Sequence, residues 1–153
     1  MTRTVALLIL LLLAAVGCGE GRSGGGGANG ANGLVGRNVL VDDTGMGDSA
    51  DGGGWMLVLA ADRAPDLWAA VGEPDDLRFA RFTIDRDAAE AVGGALVVVD
   101  DGGEYALDAT GQTLLCRVPP AGSAYGCAVV DLPRSGTVVT SFGEGGFAAR
   151  VEG

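Results

Sequence analysis

The feature that most restricts this chain is the shortness of its apolar runs. Between residues 37 and 153 each run ends within a few residues on Gly, Asp or Pro. A long amphipathic helix cannot be written in such a pattern, whereas short strands joined by turns can. The runs give ten candidate strands: Asn38–Asp42, Trp55–Ala61, Leu67–Val71, Leu77–Ile84, Ala95–Val99, Glu104–Asp108, Thr113–Val118, Gly126–Leu132, Thr137–Phe142 and Phe147–Val151. Their spacing points to an all-β domain, a single antiparallel β-sandwich over residues 37–153. Aromatic residues are only 5% of the chain, so Val, Leu and Ala must fill the core. The segment Pro74–Val92 is open: "DDLRFARF" reads as strand or helix, and "DRDAAEAV" carries helix-forming Ala and Glu.

Two hairpins stand out in the second half. In "ALVVVDDGGEYALDA" a β-branched run meets an Asp-Asp-Gly-Gly turn, after which Tyr105 and Leu107 share one face and Glu104 and Ala106 the other. In "TLLCRVPPAGSAYGCAVVDL" a turn centred on Ala121-Gly122 sets Cys116 opposite Cys127. Facing cysteines at a close strand pair can bridge. Redox catalysis favours C-x-x-C, and a metal needs more soft ligands than two, so the expectation is a structural disulfide.

"DDGGEYAL" followed by "GQTLLC" resembles the hairpin of carboxypeptidase-regulatory-like, or transthyretin-like, β-sandwich domains. Asp100, Gly103, Tyr105 and Leu107 match the family's first step, and Gly111 and Leu115 its second. Thr113 stands where an aromatic is usual, and no Pro precedes Gly111. The resemblance implies a sandwich and an accessory role in folding or binding. It carries over no catalytic residue.

The first 17 residues read as a signal peptide. Arg3 supplies positive charge, Val5–Val16 is uncharged and apolar, and small residues lead to Cys18. Twelve helical residues span about 18 Å, too short for a hydrocarbon core of about 30 Å. "AAVGC" resembles the bacterial lipobox, which implies that Cys18 is the lipidated (palmitate-bearing) first residue of a mature lipoprotein, with Ala15 where Leu is commoner. Several acyl chains anchor a protein stably. Residues 18–36, rich in Gly, Ser and Asn, read as a flexible tether. The resemblance further implies an extracytoplasmic, lipid-anchored address, on the outer membrane in a Gram-negative cell, since Gly19 is not the acidic residue it would give for inner-membrane retention.

Composition excludes much chemistry. There is no His and all ten cations are Arg, which removes His-based triads, zinc-His sites, Schiff bases and the phosphate-loop lysine. The formal charge of −10 opposes nucleic-acid binding. Carboxylate-only hydrolysis would draw on Asp100, Asp101, Glu104 and Glu144, which read as solvated turn residues. Arg78, Arg81 and Arg86 read as offsets to neighbouring acids, and Trp55, Trp68, Phe79 and Phe82 as core anchors. The loop "DDTGMGDSADGGG" sets Asp42, Asp43, Asp48 and Asp51 among glycines; it reads as a solvated loop, and as the alternative a hard-oxygen set of the kind Ca²⁺ takes, without the EF-hand spacing. The functional expectation is a non-enzymatic envelope lipoprotein acting as an interaction or assembly module on a protein or glycan. The alternative is a sugar- or calcium-binding lipoprotein using loops at one sandwich end.

Overall fold

A computed structural model describes residues 33–44 and 46–152. The signal peptide, Cys18 and all but the end of the tether lie outside the described residues. The strands are β1 (Leu34–Leu40), β2 (Ser49–Ala50), β3 (Trp55–Ala60), β4 (Phe82–Thr83), β5 (Ala95–Val98), β6 (Glu104–Leu107), β7 (Gly111–Val118), β8 (Ser123–Ala124), β9 (Cys127–Leu132), β10 (Gly136–Gly143) and β11 (Gly146–Glu152). Two helices, α1 (Ala64–Val71) and α2 (Arg86–Ala91), fall between β3 and β5.

The chain is therefore mostly β, in two antiparallel-rich sheets. The first has the order β11-β10-β1-β2, with β6 also paired to β1. The second has the order β5-β3-β7-β9 and is antiparallel throughout. Strands β4 and β8 form a separate short ladder. One pairing departs from the antiparallel expectation: β1 runs parallel to β10, Leu34 opposite Gly136 through Leu40 opposite Phe142. These strands lie about a hundred residues apart in sequence, which is the kind of connection a parallel pair needs.

The two sheets share one core, in which Met56, Val58 and Leu115 of the second meet Leu34, Tyr105, Leu107, Val138 and Phe147 of the first. The second sheet is apolar on its other face too. There Leu57, Leu59, Leu114, Cys116 and Val118 lie beneath Leu67 of α1, Phe82 of β4 and Ala89 of α2. Burial on both faces is why β3 reads "WMLVLA", without polar alternation.

That second core layer explains the main departure from the strand list. Leu67–Val71 belongs to α1. Ala64, Leu67, Trp68 and Val71 all meet the core, the i, i+3, i+4, i+7 stripe of a helix. Pro65 sits in the first turn, where a missing N–H costs nothing. Leu77–Ile84 divides into a 3₁₀ turn, Leu77–Phe79, started by the Asp76 carboxylate, and the two-residue β4. "DRDAAEAV" becomes α2, whose Asp85 side chain accepts from the Ala88 amide.

Strand β1 begins at Leu34, three residues before the expected boundary at 37. Leu34 is fully buried, and Gly36 lies opposite Tyr105, whose ring fills the space a Cβ at Gly36 would need. Cys116 and Cys127 pair across β7 and β9 in the expected register and are disulfide-bonded, with Cα atoms 4.1 Å apart.

Candidate functional site

The polar centre of the fold is built around Arg117. Period-2 alternation along β7 places it on the same face as Leu115, toward the first sheet, and its side chain is 0% exposed. A buried guanidinium presents five N–H donors that must all be met. Nε donates to Asp51 Oδ2 at 3.1 Å. One terminal nitrogen donates to the carbonyls of Trp55 (3.2 Å) and Val118 (3.0 Å). The other approaches Asp51 Oδ1 and the carbonyls of Asp51, Gly52 and Gly53, the last at 2.6 Å.

The glycine run after Asp51 makes this cradle possible. Gly53 and Gly54 have φ of 76° and 71°, which turn the carbonyls inward. A Cβ at Gly52 would strike the carbonyl of Asp101, and one at Gly54 that of Val118. The loop "DGGG" is a cation site, and the cation it surrounds is the chain's own Arg117.

Asp51 is then fully engaged. Besides Arg117 it accepts a short hydrogen bond from the Tyr125 hydroxyl and one from Asn38 Nδ2 at 2.7 Å. A bulge delivers Tyr125: the Arg117 amide donates to the Gly126 carbonyl and the Tyr125 amide to the Arg117 carbonyl, so two residues oppose one. Burial, with the Asp51 carboxylate beside it, pushes the Tyr125 hydroxyl well above its ordinary range. The network continues from Asn38 Oδ1 to Thr140 Oγ1 at 2.9 Å, and on to the Tyr105 hydroxyl at 3.1 Å. Burial raises Tyr105 as well. Among the described residues no buried side-chain polar atom lacks a partner.

The other acids of the expected calcium set do not join Asp51. Asp42 accepts from the Thr44 hydroxyl, the Thr44 amide and the Met46 amide, and those bonds hold its carboxyl below the usual range. Asp43 accepts from the Glu144 amide at 3.0 Å, tying the loop to the β10–β11 turn. Asp48 is exposed. Among the described residues no three His, Cys, Asp or Glu side chains come together as a metal would require. Asp100 accepts from the Glu104 amide and closes the β5–β6 turn, while Asp101 is exposed.

Two cavities bear on binding. One, a shallow open depression of about 380 Å³, lies at the end of the first sheet and is lined by Leu40, Asp51, Arg81, Tyr125 and Phe142. The other, about 350 Å³ and mainly apolar, lies between Trp55, Ile84, Leu96 and Pro120, with Asp85 and Arg86 at its rim. Of the aromatic residues read as core anchors, Trp68 and Phe82 meet edge-on at 5.8 Å, whereas Phe79 is exposed beneath Arg78. Sequence reasoning passed over Arg117, Asn38, Tyr125 and Thr140. One signal was present: "TLLCRV" alternates so that Arg117 shares a face with Leu115, and an inward arginine demands a carboxylate and a supply of carbonyls. No protein-family model, curated protein or solved structure matches the chain.

Proposed function

We propose that this chain is a non-enzymatic envelope lipoprotein: a β-sandwich interaction module held to a bacterial membrane through lipid on Cys18. The observation that carries this reading is the use made of the polar centre. Arg117, Asp51, Tyr125, Asn38, Thr140 and Tyr105 are engaged with one another and with backbone carbonyls, and what they hold is loop geometry. A reactive centre needs a nucleophile beside a base, or two facing carboxylates, with unspent valences. Of the acids named for hydrolysis, Asp100 closes a turn, Asp101 and Glu144 stand in solvent, and Glu104 is a half-buried residue of β6.

The hairpin residues support the likeness to transthyretin-like domains. Asp100 closes the turn, and Tyr105 and Leu107 are fully buried between the sheets. The course of β1 supports tethered display. Leu34 enters beside Gly136 and Leu107, and Leu40 leaves beside Phe142, so the cavity with Arg81 opens at the end away from the tether. Loops at that end would face outward from an anchored membrane.

Metabolic labelling with a palmitate analogue, comparing the wild-type chain with Cys18→Ala in a bacterial host, tests the anchor. Label and detergent partitioning should follow Cys18. Equal labelling of the two, or none in either, would overturn the lipoprotein reading.

A further inference from the structure

The cavity at the outer end of the first sheet carries one uncompensated positive charge. Arg81 lines it, and among the described residues Arg81 makes no ion pair. The Asp51 carboxylate, which also lines the cavity, is matched by Arg117, and burial raises the Tyr125 hydroxyl well above its ordinary range. Leu40, Phe142 and the Tyr125 ring supply the remaining walls, the two rings edge-on with centroids 4.7 Å apart. The site is a shallow, open depression of about 380 Å³, with room to seat a group the size of one amino acid against its floor.

We propose that this cavity binds a carboxylate carrying an apolar side group, with Arg81 pairing the carboxylate and Leu40, Phe142 and Tyr125 covering the apolar part. The inventory of free valences selects this class. A neutral sugar needs several partners for its hydroxyls, but Asp51 already accepts from Arg117, Tyr125 and Asn38, and the Tyr125 hydroxyl already donates its hydrogen bond to Asp51. A metal cation would meet one carboxylate, already neutralised, and an unpaired arginine. The guanidinium fork of Arg81 is left, and it suits a carboxylate. The chain's net −10 opposes any anion at long range, but screening shortens that repulsion to about 8 Å at physiological salt, so the contact charge decides. Arg81 also lines a neighbouring cavity with Phe82, Thr83 and Ala124, which gives room for chain preceding a terminal carboxylate.

The proposal deepens the interaction-module reading by naming what the module takes, and it rests on that reading only for its biological setting. Calorimetric titration of the full chain in detergent with N-acetylphenylalanine, its amide, N-acetylglucosamine and the pentapeptide Gly-Gly-Gly-Gly-Phe tests it. The acid should bind, and its loss of charge in the amide or the Arg81→Gln substitution should each weaken binding about tenfold or more, as for a charge-assisted hydrogen bond. Tighter binding of the pentapeptide than of the acid assigns the carboxylate to a peptide C-terminus, and equal or weaker binding assigns it to a free acid. Binding of the amide as tight as the acid, an unchanged affinity in Arg81→Gln, preference for the sugar, or no binding of any probe would overturn the site. Arg81 is exposed and belongs to neither core cluster, so an unchanged melting temperature will separate lost binding from lost folding. Titration of Cys18→Ala, expected to bind normally, keeps failure of the anchor distinct from failure of the site.

Discussion

The fold's most consequential residue is a buried cation. Arg117 is held by Asp51 and by carbonyls that only a glycine-rich loop can bring so close. Removing Arg117 leaves the largely buried Asp51 carboxylate charged and without its cation, so Arg117→Met is expected to cost about 3–5 kcal/mol in urea unfolding. A loss below about 1 kcal/mol would mean the network contributes little net stability. Exposed Asp48 offers the contrast: Asp48→Asn should stay within about 0.5 kcal/mol of wild type. Gly36→Ala tests another close approach, because the new methyl group would enter the Tyr105 ring, and overpacking of this kind costs about 1–3 kcal/mol. The site was partly legible at this scale. In the sequence Asp51 and its glycines read as a solvated loop, with a Ca²⁺ site as the alternative. The cation they hold was not legible, because Arg117 stands 66 residues away and a strand brings it there.

Among the elements, the β7–β9 hairpin sets much of the rest. Its disulfide faces α1, α2 and β4, while its bulge turns Tyr125 toward Asp51 on the opposite side. The closed loop spans a sequence separation of 11, for which the chain-entropy relation gives about 3 kcal/mol. The double substitution Cys116→Ala, Cys127→Ala should lower stability by about that amount, measured against the oxidised protein by denaturant unfolding. No change on reduction of the wild type would contradict a stabilising bridge. The hairpins were readable because their signals are local: β-branched runs, Asp-Gly turns and the cysteine spacing all lie within twenty residues. Helix α1 was not, since "LWAAV" is too short for its period to declare itself and only the second core layer selects the helical stripe. The parallel β1–β10 pair left no local mark at all. Its register is fixed by side chains of both strands reaching one core, Leu34 and Val138 among them.

For the molecule as a whole, the absence of His and Lys predicts an unusual pH profile. The chain has no His, the residue type whose ordinary titration falls near neutrality, so folding stability should be level between about pH 6 and 9. On the alkaline side the two tyrosines control the outcome. Burial raises both in the folded chain, while in the unfolded chain they ionise near pH 10. A folded pKa above the unfolded one gives stability that is complete below about pH 10 and is lost as pH rises beyond it. On the acid side Asp42 and Asp76 are lowered, Asp42 first by the Thr44 hydroxyl and Asp76 first by the Arg78 side chain. Their contribution is complete above the ordinary carboxylate range near 3.8 and fades as pH falls through the folded values. Urea midpoints from pH 3 to 12 should therefore trace a plateau with two falling limbs. Tyr105→Phe and Tyr125→Phe together should flatten the alkaline limb and leave the acid one in place. An alkaline limb that persists unchanged in the double variant would mean that charge repulsion in this acidic chain, and not tyrosine burial, limits its folding at high pH.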